Sequence, residues 1–281
     1  MYRRALLLTL AASPFFAAIA HADAPRIIRL DITRRQPRVR LSINGVDRGE
    51  AIFDTGAGAS TFHRPLAEEL NLPPTGEIQI TSGAGGPPIE GFTTRITNAA
   101  INGVAIPDFD AAAIPQVRPD TIAVLSPLIF SGQLIELDFA QSQMRILDKS
   151  AATIPTSAAV PYTTGEHPLP AILLTLPGGV SLPTHLDTGS PAELLLPREL
   201  GDTLPLSTPL AEVGRARMFN TERVIYRATL NGTAQVGPVT LTNPQIDFME
   251  GLNHGNVGMA LLRRLNITLD PAERRLWIAA A

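Results

Sequence analysis

The chain has 281 residues, 44% of them hydrophobic and 17% charged, with a formal net charge of −3 and no cysteine. That balance describes a globular chain long enough for one large domain or two modest ones, since domains run roughly 100–200 residues. It excludes a disulfide framework, a thiolate metal site and a cysteine nucleophile, and it argues against a dedicated nucleic-acid binder.

The first residues read as an export leader. Arg3 and Arg4 form a positive start, Ala5 to Ala20 is an apolar run, and Ala20-His21-Ala22 supplies a small-x-small cleavage pattern. Residues 1–22 are therefore expected to be removed, leaving 21 basic and 26 acidic residues in an exported protein, periplasmic or secreted. No later segment reaches membrane-spanning length, so no stable membrane insertion is expected after that removal.

From residue 25 onward the pattern is one of short strands and turns, with 24 of the chain's 25 prolines and few aromatics. Ile27 to Ile32 and Arg38 to Ile43 alternate loosely, and Asn44-Gly45 after them is a hairpin signal. Ala51-Ile52-Phe53 is a short apolar strand running into Asp54-Thr55-Gly56-Ala57. Pro65 to Leu70 reads as a short helix with proline in its first turn. Ile78 to Thr81 and Phe92 to Thr97 flank a Gly/Pro-rich tip, Ser82 to Pro88, and Asn102-Gly103 marks a further turn. Residues 151–160 form an Ala/Ser/Thr/Pro-rich linker between an N-terminal lobe, 25–150, and a C-terminal lobe, 161–281. Beyond it come Ala171 to Leu176, a strand into Asp187-Thr188-Gly189-Ser190, a helical piece near Pro197 to Leu200, and strands around Val224 to Leu230, Thr233 to Val236 and Val239 to Leu241. Helix is minor throughout, so the expected class is all-β.

The two lobes read as an internal repeat. Phe53-Asp54-Thr55-Gly56 recurs as Leu186-Asp187-Thr188-Gly189, and Ile135-Glu136-Leu137-Asp138 recurs near the C-terminus as Ile267-Thr268-Leu269-Asp270. The second offset also sets Val124-Leu125-Ser126 on Asn256-Val257-Gly258. Two separated blocks sharing nearly one offset mark a tandem duplication.

An aspartate at the end of an apolar strand, followed by Thr-Gly, puts a carboxylate at the lip of a sheet. Two such loops facing each other would hold two carboxylates that cannot both ionise and so share one proton. The ionised member can draw a proton from a water held between them, and the protonated member can donate to a carbonyl oxygen. No metal or other cofactor is needed.

These residues resemble the pepsin and retropepsin superfamily of aspartic peptidases over nearly all of the mature chain. The first loop is similar to the retropepsin form and the second to the pepsin form. Lobes this short and free of cysteine are closest to two fused retropepsin-like units, as in bacterial members. The resemblance implies a bilobal fold of two β-barrel-like lobes about a pseudo-twofold axis, with Asp54 and Asp187 as the catalytic dyad. It implies that Thr55 and Thr188 interlock the loops and that Gly56 and Gly189 line the cleft floor. It further implies that a first-lobe flap carrying Gly83, Gly85 and Gly86 and a second hairpin, Gly214 to Thr221, cover a peptide or protein substrate. With both halves in one chain, a monomer is expected. Ser126, where the second half has Gly258, departs from the pattern: its added side chain either strains the packing that braces the first loop or sits harmlessly at a turn. Ser190 is expected to hydrogen-bond an aspartate and make Asp187 the more acidic of the pair.

Other readings are weaker. Asp138 and Asp270 lack a following Thr-Gly and read as turn formers. His21, His63, His167, His185 and His254 show no metal-ligand spacing, and His185 reads as packing or solvent-facing. No Gly-x-Ser-x-Gly elbow is present, and Gly83-Ala84-Gly85-Gly86 lacks the Gly-Lys-Ser/Thr of a phosphate loop. A catalytically silent peptide-binding module on the same fold is the alternative function. A glycosidase is disfavoured because paired Asp-Thr-Gly loops hold the carboxylates too close together.

Overall fold

A computed structural model describes residues 24–281 apart from residues 82, 84, 116–119, 151–158, 163–168 and 219–220. The proposed leader, most of the linker, and Ser82 and Ala84 of the first hairpin tip therefore lie outside the described residues. The chain is nearly all β, 54% strand against 9% helix. Among the described residues no helix is long and apolar enough to cross a membrane.

Two nine-stranded sheets carry the architecture, and their strand orders correspond position by position. Across the first, the order is Pro74–Ile80, Ile89–Ile96, Phe109–Ile114, Ser60–His63, Ala123–Leu125, Val46–Phe53, Arg38–Ile43, Ala99–Ile101, Val104–Ala105. Across the second it is Ala211–Met218, Thr221–Thr229, Gln245–Met249, Leu194–Pro197, Gly255–Val257, Val180–Leu186, Ala171–Leu176, Thr233–Val236, Val239–Thr242. A third sheet of six strands takes members from both ends of the chain: Leu134–Asp138 pairs antiparallel with Leu265–Asp270, setting Ile135 opposite Leu269 and Leu137 opposite Ile267.

Local chemistry explains most of these elements. Asn44 and Gly45, at φ 55° and 75°, close a tight hairpin whose twist needs positive φ at both central residues, and Asn102-Gly103 does the same at 48° and 81°. Arg64–Glu69 is a short α-helix, started by Pro65 where a missing N–H costs nothing. Asp138 and Asp270 accept from the backbone N–H groups of Gln141 and Glu273, at 2.9 and 3.1 Å, and so act as turn formers. The main hydrophobic cluster runs without a break from Ile28 to Leu276 and includes Phe53, Phe62, Leu125, Leu186, Phe248 and Val257, all fully buried.

That core fixes the two Asp-Thr-Gly loops. The strand before Asp54 lies parallel to Ala123–Leu125, and the Asp54 N–H donates to the Leu125 carbonyl at 2.9 Å. The strand before Asp187 lies parallel to Gly255–Val257, and the Asp187 N–H donates to the Val257 carbonyl at 2.9 Å. Each aspartate is thus the first residue past the end of a central strand, held there by a ladder bond from a buried neighbour.

Candidate active site

The two loops meet through their threonines. The Thr188 N–H donates to the Thr55 hydroxyl and the Thr55 N–H to the Thr188 hydroxyl, each at 3.0 Å. Each hydroxyl in turn donates to a main-chain carbonyl of the opposite half, Thr55 to Leu186 and Thr188 to Phe53, the latter at 2.7 Å. Both side chains are buried, at 2% and 0% exposure, so four polar groups that would otherwise be orphaned satisfy one another. Gln36 adds a fifth link by donating its amide to the Gly189 carbonyl.

This lock sets each glycine against the other half's carboxylate. A Cβ on Gly56 would lie 2.7 Å from Asp187 Cγ, and one on Gly189 would lie 2.3 Å from Asp54 Oδ2. No side chain fits at either position. The carboxyls of Asp54 and Asp187 are close enough for each to act on the other's ionisation. The Gly56 N–H donates to Asp54 Oδ1 at 2.8 Å, and Asn256 Nδ2 donates to Asp187 Oδ2 at 2.9 Å.

Burial pushes the Asp187 carboxyl well above the usual carboxylate range, and the neighbouring Asp54 charge pushes it further; the N–H groups of Gly189 and Ser190 offset only part of this. Asp187 keeps intermediate exposure as a residue, but its Oδ1 is buried. The site therefore favours one proton shared by the pair. The hydrogen bond expected from Ser190 to an aspartate is not made: the Ser190 hydroxyl is buried without a hydrogen-bond partner.

Ser126 fits its turn without strain. Its hydroxyl donates to the Ala57 carbonyl at 2.7 Å and accepts from the Leu128 N–H at 3.3 Å, so it braces the first loop rather than straining it. In the second half the hydroxyl sits on the loop itself, at Ser190. A Cβ at Gly258 would fall 2.5 Å from the Ala192 carbonyl oxygen and 2.6 Å from that of Ser190. The two halves thus solve one packing problem with the hydroxyl on opposite partners.

The first hairpin, Pro74–Ile80 with Ile89–Ile96, extends towards the second half. A Cβ on Gly83 would lie 3.8 Å from the His254 ring, and one on Gly86 would lie 2.6 Å from Thr221 of the second hairpin. Gly85, at φ +72°, has nothing within 4 Å of a Cβ and serves the turn. His254 stacks on His185 with ring centroids 4.2 Å apart, so His185 packs against a second imidazole two residues before Asp187. Gly214 belongs to the second hairpin, formed by Ala211–Met218 and Thr221–Thr229. It lies inside the strand Ala211–Met218, at a register shift between Glu212 and Gly214.

Asn256 is the site residue that the reading of motifs passed over. The signal was present: it stands where the first half has Val124, a lone amide in an otherwise apolar block.

Residues 39–125 match the family model for aspartyl proteases. The match takes in the Asp54 loop and the strand that pairs beside it, and ends before the second half begins. No curated protein matches the chain.

Proposed function

We propose that the chain is an aspartic endopeptidase made of two duplicated lobes, residues 25–150 and 161–281, each supplying one catalytic aspartate. It acts outside the cytoplasm, as a monomer, after loss of residues 1–22. The observation that carries this reading is reciprocal: Gly56 packs on Asp187 and Gly189 on Asp54, which leaves the two carboxyls close enough for each to act on the other's ionisation.

In the reaction, Asp54 as the carboxylate takes a proton from a water between the pair while that water's oxygen attacks the scissile carbonyl carbon. Asp187 gives its proton to the carbonyl oxygen, so the tetrahedral diol forms without a buried oxyanion. Collapse returns a proton from a diol hydroxyl to Asp187 and passes the one held by Asp54 to the departing amine. The C–N bond breaks, and the pair regains its single proton.

Digestion of a denatured protein by the purified mature chain tests this. Asp54→Asn and Asp187→Asn should each lower kcat/KM by about 10²–10⁴-fold, the usual worth of a positioned acid or base. A statine-type transition-state analogue should inhibit the wild type. Activity that survives either substitution would remove the dyad from the mechanism.

A further inference from the structure

Around Asp187 the cleft opens into a cavity of about 800 Å³ between the Thr33–Gln36 segment, the loop after Asp187 and the second hairpin. Six arginines line it: Arg34, Arg35, Arg215, Arg217, Arg227 and Arg263. Among the described residues its acidic lining residues are Asp187 and Asp247. This is a concentrated positive surface in a chain whose net charge is −3.

Some of that charge is already matched. Arg227 forks onto Asp247 at 2.5 and 3.0 Å, Arg215 reaches Glu222 at 3.0 Å, and Arg34 reaches Glu50 at 3.1 Å. Arg263 donates only to the carbonyls of Ile32 and Arg34, at 2.7 and 2.6 Å, which pins the Arg34–Arg35 segment to the cleft without neutralising anything. Arg35 and Arg217 form no ion pair with a carboxylate among the described residues. Three guanidinium groups are thus left unneutralised at one end of the cleft.

The other end differs. The first hairpin, residues 74–96, carries Glu77, Glu90 and Arg95, and Arg95 is tied to Asp110 at 3.1 Å. The second hairpin, residues 211–229, carries Glu212 and Glu222 against Arg215, Arg217, Arg223 and Arg227. Two hairpins in corresponding places of corresponding sheets therefore differ in sign. An extended chain held between the hairpins would have the acid-leaning one and the basic one as its neighbours. Charge lining a low-dielectric cleft focuses the field and favours the complementary ligand more than the same charge on an open surface.

We propose that this site selects polypeptides bearing carboxylate side chains on the one side of the scissile bond that runs along the second hairpin, with Arg35, Arg217 and Arg263 as the specificity-determining cations. The proposal rests on the peptidase reading and names its substrate class.

The test uses a bond first mapped in a denatured protein digest and four short peptides containing it. Two carry Glu or its neutral isostere Gln at the second and third positions before the bond, and two carry them after it. At low salt and about pH 5.5, above the ordinary glutamate value of about 4.3, kcat/KM should favour Glu over Gln by about ten-fold on one side only. The ratio should fall towards unity in 1 M salt, where charges are screened within about 3 Å. It should also fall in the double variant Arg35→Gln/Arg217→Gln, read as a ratio within that variant. Equal rates for Glu and Gln on both sides, or a ratio that survives the double substitution, would overturn the proposal. Should the digest yield no cut bond, Glu and Gln versions of one fixed extended peptide are titrated as fluorescent probes against the wild-type chain. Acidic probes binding about ten-fold tighter would leave the selectivity standing and bring down only the peptide-cutting reading. Equal affinities would overturn the selectivity itself.

Discussion

At Asp187 a carboxyl is buried against a second carboxylate, and the cost falls on its ionised form. Its ordinary value is 3.8, and in the folded chain burial and then the Asp54 charge hold it well above that. The folded state therefore binds the proton more tightly than the unfolded chain, and this group's contribution to stability is full below about 3.8. It is lost as pH rises through the raised folded value. Asparagine at this position has no charge to bury and keeps an N–H that can donate to Asp54. Asp187→Asn should therefore match the wild type in acid and exceed it at neutral pH, with Tm higher by about 2–4 °C for each kcal/mol relieved. Thermal melts of both proteins across about pH 4 to 8 check this, and parallel curves would show that the pair does not store this energy. Asn256 bears on the same balance. It donates to Asp187 Oδ2, whereas the matching Val124 can give Asp54 nothing.

The elements that carry the aspartates are braced from behind by the segments at Ser126 and Gly258, and the two braces are not interchangeable. At Gly258 an added Cβ meets main-chain oxygens at 2.5 and 2.6 Å, and main chain cannot swing aside as a flexible side chain can. Ser126 is buried and spends its hydroxyl on the Ala57 carbonyl. Gly258→Ser should cost about 3 kcal/mol, the upper end of ordinary overpacking, and Ser126→Gly only about 1 kcal/mol, one net hydrogen bond. Urea denaturation orders the two, and a milder effect at Gly258 would mean that the second brace yields. Turn chemistry made much of this level readable beforehand: Asn44-Gly45, Asn102-Gly103, Pro65 and both Asp-Thr-Gly loops signal through local preference alone. Strands held by distant partners were not readable in that way. Phe109–Ile114 is largely an alanine run buried on both faces, and it pairs parallel with Ser60–His63, so neither alternation nor turn residues mark it. Gly214 looks like a turn residue, but it marks a register shift within a strand. The arginines of the cleft were legible one by one, but only the fold gathers them.

Across the whole molecule, the halves share more than the site. Leu134–Asp138 and Leu265–Asp270 are neighbours in one sheet, and Lys149, the chain's only lysine, crosses to the buried Asp270 at 2.7 Å. Together with the threonine lock, these contacts bind each half's order to the other's, although each half also owns a nine-stranded sheet. If the shared sheet and the lock dominate, the chain unfolds as one unit. If the separate sheets dominate, it unfolds in two steps, as multidomain chains commonly do. Phe62 and Trp277 can distinguish these. Phe62 is fully buried in the first nine-stranded sheet, its ring 6.1 Å from that of Phe109, and truncation to alanine should cost about 3–5 kcal/mol there. Trp277, the only tryptophan, lies in the shared sheet on the strand Arg275–Ala280, opposite Thr268 of the second half. In Phe62→Ala, the urea midpoint read from Trp277 fluorescence should fall together with that read from far-UV circular dichroism, and the m-value should stay near that of the wild type. A Trp277 midpoint that holds while part of the dichroism signal melts early would show that the first half unfolds alone, and that two carboxyls so closely coupled are kept in register by the threonines rather than by the shared sheet.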